Sequence, residues 1–325
     1  MSNQINSLEM LSLILFIGVV TSLIVRRKTG INPGGIITAP FLVLSFYYSF
    51  IWGVTLIIIS LLIYKIYNKY LHSFYYGRTP MYIYSIMSVL FVYAIAWIYG
   101  YFKIIPDFNI NFVYGLILPA IMTVALRKQG VRKTMIYTAI TVVITALVSL
   151  VIFYISNNIF QYNFYYMEQL RASTNNITLS TGFILFFASI ISSYVIYYFT
   201  KIKSGGYIVL PFLALLLFNP KSLLIFVVTL IFMHLLFKAI RHYTLIVGIT
   251  RYTFVLCTAI LVVWVIESAG LRIDPTFSPF LGANIFPALA LASITNDFSV
   301  QKARNTAPML ILNLIIVGIV YFFVR

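Results

Sequence analysis

The side chains able to do chemistry in this 325-residue chain are few and mostly cationic: 22 lysines and arginines stand against six acids and three histidines. Arg26-Arg27-Lys28 form one cluster, and Arg127, Lys128, Arg132 and Lys133 form another. Clustered cations of this kind hold anionic substrates or the acidic face of a partner; they also fix membrane topology and touch lipid headgroups. The acids offer no matching array. None lies in the middle of an apolar run, and Glu267 stands at the end of one. A proton-coupled carrier uses buried carboxylates or histidines to pass the proton. Only His234 sits well inside an apolar run, where packing is its ordinary role, while His72 and His242 fall at run ends. The single cysteine, Cys257, excludes disulfides within the chain and cysteine metal sites. Paired carboxylates, a Ser–His–acid set, a Walker-type loop and metal-ligand spacings are all missing from the sequence. The chain is therefore expected to have no catalytic residues, no metal site and no cofactor, and not to be an enzyme by itself.

Backbone groups offer a second kind of chemistry. Gly34-Gly35 precedes Pro40, and Gly205-Gly206 precedes Pro211 at the same spacing. Proline has no N–H to donate to a helical ladder, so the carbonyls of Ile36 and Tyr207 are left without that partner. Pro119 and Pro287 do the same for the carbonyls of Gly115 and Ala283. Irregular backbone at membrane depth is tolerated where it is buried in protein or lines a water-filled cavity. Four interrupted helices in matching places point to a central pathway or groove, or else to ordinary kinks, since Gly and Pro are common in membrane helices.

The elements that must position these groups follow from composition. Apolar residues make up 62% of the chain and charged ones only 9%, with a mean hydropathy of +1.01. A soluble domain carries roughly 25% charged residues, so this surface faces lipid. Apolar runs fall near 8–25, 34–50, 51–66, 81–102, 110–126 and 134–156, and again near 179–199, 206–218, 221–240, 252–268, 279–295 and 306–324. In lipid such runs are helices, because only a helix or a closed barrel satisfies its own backbone, and two-residue alternation is absent. The expected fold is an all-α integral membrane protein of about 12 spans, with helices 2, 5, 8 and 11 interrupted by Gly and Pro. The N-terminal run lacks a basic lead and carries Glu9, so it is expected to be a retained span.

If every run crosses, 17 of the 22 cations gather on one side and five of the six acids on the other. The positive-inside rule makes the basic side cytoplasmic, which puts both termini outside. Residues 34–44, GGIITAPFLVL, match 205–215, GGYIVLPFLAL, at seven of eleven positions with an offset of 171. Beyond this the offset falls to 168, pairing Phe112 with Phe280 and Pro119 with Pro287. The chain is thus expected to hold two parallel six-segment repeats, 1–156 and 179–325, joined by an extracytoplasmic linker at 157–178 and related by an axis along the membrane normal.

Two of these stretches carry a resemblance. KTGINPGGIITAPFLVL at 28–44 and LPAIMTVALRKQG at 118–130 resemble the two most recognisable segments of the C subunit of bacterial poly-γ-glutamate synthase, the PgsC/CapC family. Members have about the length of one repeat, so the chain looks like a fused double copy. In the second repeat the Thr-Gly-Ile-x-Pro part becomes Thr200-Lys201-Ile202-Lys203-Ser204, and Gln129-Gly130 aligns with Asp297-Phe298. The resemblance implies a bacterial cell-membrane subunit that works in the making and export of a poly-γ-glutamate capsule. It implies partners in a cytosolic ATP-dependent amide ligase, an outward-facing capsule or export subunit and the anionic polymer, within a lipid bilayer and without nucleic acid. On that reading Gly34, Gly35, Pro40, Gly115, Pro119, Gly205, Gly206, Pro211 and Pro287 mark a pathway, and the two basic clusters contact ligase or polyanion. The alternative is a secondary transporter of a small anionic solute.

Overall fold

A computed structural model describes residues 8–75, 79–104, 115–158, 179–243, 248–273, 279–280 and 285–324. Among them there are twelve α-helices and no strand. They fall into two compact units, in the main residues 14–161 and 184–325. The first holds α1 (Leu8–Thr29), α2 (Thr38–Tyr48), α3 (Phe50–Ile66, prolonged by a π-helical turn Tyr67–Leu71), α4 (Thr79–Tyr101), α5 (Leu118–Gln129) and α6 (Val131–Asn158). The second holds α7 (Leu179–Thr200), α8 (Leu210–Leu216), α9 (Pro220–Tyr243), α10 (Gly248–Ile273), α11 (Ile285–Gln301) and α12 (Ala303–Val324). The side chain of Glu9, Phe112 and the linker, apart from its first two residues at the end of α6, lie outside what is described of the chain.

The helices divide by length. Those built on Phe50–Leu71, Thr79–Tyr101, Val131–Ile155, Ser180–Thr200, Pro220–Tyr243, Gly248–Gly270 and Ala303–Val324 are long and apolar enough to cross a membrane. By contrast α2, α5, α8 and α11 have 11, 12, 7 and 17 residues. Their lengths of about 16, 18, 10 and 26 Å fall short of a hydrocarbon core of about 30 Å.

Burial explains where the short helices go. Every residue from Thr38 to Leu44 on α2 is buried, as is every residue from Leu210 to Ala214 on α8 and from Ala288 to Ala292 on α11. The long spans are less buried, from 44% of the α3 and α7 windows down to 22% of those of α6 and α9. Their outer faces carry Leu147, Val151, Val228, Ile231, Ile315 and Ile319, which suit lipid. Within the first unit α2 packs on α3, α5 and α6, and α5 on α3, α4 and α6. The second unit repeats this pattern: α8 packs on α9, α11 and α12, and α11 on α9, α10 and α12. The short helices are thus the interior of each unit, where their irregular lead-ins are screened from lipid.

Candidate functional site

The lead-in to α2 is built by local hydrogen bonds. Thr29 Oγ1 donates to the carbonyl of Val25 at 2.7 Å and accepts from the Ile31 N–H at 3.2 Å, while the Gly30 N–H returns to the Arg26 carbonyl at 2.8 Å. These contacts end α1 and turn the chain back along it. The Asn32 N–H then donates to Gln129 Oε1 at 3.0 Å, fixing the lead-in at the last residue of α5. Gly34 and Gly35 follow with φ of +70° and +130°. At Gly34 a Cβ would lie 2.9 Å from Thr138 Oγ1 on α6, and at Gly35 one would lie 2.6 Å from Ile121 Cγ2 on α5. The left-handed backbone and the close approach both demand glycine there. Thr38 Oγ1 donates to the Gly34 carbonyl at 2.9 Å and starts α2.

The second unit uses the same construction. Thr200 Oγ1 donates to the Ile196 carbonyl at 2.7 Å and accepts from the Ile202 N–H at 3.2 Å. The Lys203 N–H donates to Gln301 Oε1 at 2.9 Å. Gly205 and Gly206 have φ of +79° and +92°, and a Cβ at Gly205 would lie 2.9 Å from Leu310 Cδ1 on α12. The structure therefore corrects the sequence pairing of Gln129-Gly130 with Asp297-Phe298. Gln129 corresponds to Gln301, and Gly130, at φ +84°, corresponds to Lys302, at φ +68°. Thr134 and Thr306 complete the match, each hydroxyl donating to the carbonyl four residues back, at Gly130 and Lys302. The alignment slipped because α11 is longer than α5 by five residues, and an ungapped offset carried from Pro287 cannot absorb an added turn.

The prolines are also corrected. Pro40, Pro119 and Pro211 do not interrupt helices at mid-length; each lies in the first turn of a short helix, where no intrahelical bond is lost, while the residues just before α11, the helix that holds Pro287, lie outside those described. Before α2 and α8 the break is the glycine-rich backbone, with Gly34, Gly35, Gly205 and Gly206 at positive φ. Of the carbonyls expected to be free, that of Tyr207 accepts from the Ser189 hydroxyl on α7. Next to Gly115, the Leu116 carbonyl accepts from Ser88 on α4 at 2.6 Å. Ala283 lies outside the described residues. Sequence reasoning passed over these two serines; a hydroxyl inside an otherwise apolar span was the available signal.

The basic residues separate into two kinds. Arg27, Lys28, Lys128, Arg132 and Lys133 are exposed. Arg127 turns inward: its Nη1 donates to the Tyr84 hydroxyl at 3.2 Å, and its guanidinium lies 5.1 Å from the centre of the Tyr67 ring. Tyr67 and Tyr84 are buried and meet edge to face at 4.6 Å. Arg26 is half-buried, and its Nη1 has neither solvent nor a hydrogen-bond partner. In the second unit several polar groups near the lead-in are paired, although Asn313 Oδ1 is buried without a partner. Lys203 Nζ lies 3.6 Å from buried Asp297, and Asn313 Nδ2 donates to both Ser193 and Ser204 at 2.8 and 2.7 Å. Glu267, fully buried on α10, accepts from the Phe280 N–H at 3.0 Å. His234 packs edge to face on Phe298 at 5.6 Å. Among the described residues no three His, Cys, Asp or Glu side chains come together as a metal site.

Each glycine-rich lead-in descends beside α5 or α11 from the basic end. From Gln129 to Ile121 is about 12 Å of helix, and α2 continues for about 16 Å beyond. Compared with known proteins, the chain matches the family model described as capsule biosynthesis CapC at residues 17–135 and again at 188–320. No curated protein and no solved structure matches it significantly.

Proposed function

The chain belongs to the capsule biosynthesis CapC family, and from that premise we propose that it is the membrane subunit of a poly-γ-glutamate synthesis and export complex. The observation that carries this reading is the double match of the family model, which spans both glycine–proline units and more than half of the chain. The polymer's identity rests on the resemblance of 28–44 and 118–130. A polymer with one carboxylate per residue is drawn to a basic face by long-range attraction. In this reading an ATP-dependent amide ligase in the cytosol performs the chemistry, and an outward-facing subunit receives the product. This chain anchors the ligase and passes the polyanion outward.

The topology that serves this role has each glycine-rich lead-in and its short helix crossing together as one segment. The combined rise of about 28 Å in the first unit is that of a hydrocarbon core. Both termini are then extracytoplasmic, and the basic rim faces the ligase. Among its cations Lys128, Arg132 and Lys133 are the exposed docking set, whereas Arg127 is held by its tyrosines.

The test is to reverse Lys128, Arg132 and Lys133 together to Glu in a chain shown to be inserted normally. Loss of ligase co-purification and of secreted polymer is expected. Unchanged output would remove the rim from the mechanism. Vesicles holding only this chain that accumulate labelled glutamate would replace the reading with that of a solute transporter.

A further inference from the structure

The two units share one construction, yet they treat their polar groups differently at the lead-in. In the second unit the α7 residue Ser193, the lead-in residue Ser204 and the α12 residue Asn313 are tied by two hydrogen bonds of 2.8 and 2.7 Å. Their first-unit counterparts, in the registers set by Thr29 with Thr200 and by Gln129 with Gln301, are Ser22, Pro33 and Thr141. Pro33 has no side-chain donor or acceptor, and the Thr141 hydroxyl donates to its own helix at Tyr137, 2.7 Å away. The Ser22 hydroxyl has no partner.

Four polar side chains around this first lead-in are left with a buried atom and no partner: Ser22 Oγ, Arg26 Nη1, Asn32 Oδ1 and Thr138 Oγ1. Ser22 and Thr138 are 0% and 3% exposed. Their placement converges. Gly18, Ser22 and Arg26 follow one another at i, i+4 spacing along one face of α1. That face meets the segment, because a Cβ on Gly18 would lie 2.6 Å from Pro40 Cβ. The segment runs back from Pro40 antiparallel to α1, which sets its Pro33–Gly34 part by Ser22 and Asn32 toward Arg26. From the other side Thr138 touches Gly34.

Unsatisfied buried polar groups are uncommon in folded proteins, and each is destabilising until something pairs with it. Four along one short stretch of one unit, where the matching stretch of the other has its two serines tied by Asn313 Nδ2 and only the Asn313 Oδ1 of that tie left unpaired, mark a place prepared for a guest. A guanidinium N–H and two hydroxyls donate, and the Asn32 amide donates when it turns over. The guest is therefore an acceptor with negative charge, and a planar carboxylate fits a guanidinium best. We propose that the first unit alone holds a carboxylate-binding site, formed by Ser22, Arg26, Asn32 and Thr138 at the basic end of its glycine–proline segment, and that the second unit's site is closed by Asn313. This deepens the reading given above, since that polymer presents such a carboxylate at every residue.

The experiment uses the full chain in nanodiscs of zwitterionic lipid, with γ-linked triglutamate, glutarate and inorganic phosphate as probes in calorimetric titrations. R26Q is expected to weaken triglutamate and glutarate by about tenfold or more, the loss of one charge-assisted contact. T141N combined with P33S, which rebuilds the second unit's tie around Ser22, is expected to abolish binding while keeping or raising Tm. N313L in the second unit is expected to leave affinity unchanged. Wild-type affinity in both R26Q and T141N/P33S would overturn the site. So would phosphate, standing in for a lipid headgroup, competing as well as the carboxylates. Glutarate binding that is lost in the variants, with no gain for triglutamate, would uphold the site and sink the polymer reading.

Discussion

The backbone N–H of Asn32 donates to the side chain of Gln129 at 3.0 Å, and the same bond recurs between Lys203 and Gln301 at 2.9 Å. One glutamine at the end of a short helix thus pins each glycine-rich lead-in. The lead-in cannot form a helical ladder of its own, so its N–H groups depend on such contacts.

Replacing Gln129 or Gln301 by Ala should therefore destabilise to a similar degree. An abandoned partly buried N–H costs about 1–3 kcal/mol, and thermal unfolding in detergent would register it in either variant. A fall in Tm confined to one of the two would show that the units are pinned differently.

Gly34→Ala combines two penalties, a positive φ of +70° and a Cβ 2.9 Å from Thr138 Oγ1. A loss of about 1–3 kcal/mol is expected. Adding Thr138→Ala removes the closest contact but neither the 3.1 Å approach of Thr38 Cγ2 nor the backbone strain, so the double variant should recover part of the stability. Full recovery would mean that the backbone conformation carries no cost.

Arg127→Gln should cost about 1–3 kcal/mol, because it removes a hydrogen bond to Tyr84 and a cation from the Tyr67 ring. The exposed neighbour Lys128, changed to Gln, should alter Tm little. Equal effects from the two would contradict the inward setting of Arg127. A polymer defect in Arg127→Gln at normal Tm would instead return that residue to the docking set.

Topology can be read with thiol labelling in a Cys257→Ser background. Cysteines placed at Lys65 or Arg132 should resist an impermeant reagent in intact cells, and one at Lys103 should react. Labelling at 65 or 132 from outside would invert the docking rim and overturn the twelve-span topology.

Much of the helical layout was legible because lipid imposes it. Long apolar runs in hydrocarbon become helices, and the seven long spans fall on runs visible in the sequence. The glycine–proline segments were visible as well, through a motif repeated at offset 171, and the family model falls on both copies. Less visible was where the helices begin. Pro40 and Pro119 appear as breakers when only the apolar run is considered, but they start α2 and α5, since proline loses nothing in a first turn.

The sequence by itself determined that this chain is helical, apolar enough to face lipid, doubled and cationic, because those properties depend on composition and on spacing along the chain. Only the tertiary structure decided that Gln301, not Asp297, answers to Gln129, that Arg127 is packed inward beside the exposed Lys128, Arg132 and Lys133, and that Ser22 lacks the partner Ser193 has. Each of these depends on which side chains from distant helices come within about 3 Å of one another. Hydrogen bonds weaken steeply beyond that distance, and an added helical turn shifts a contact without disturbing hydropathy.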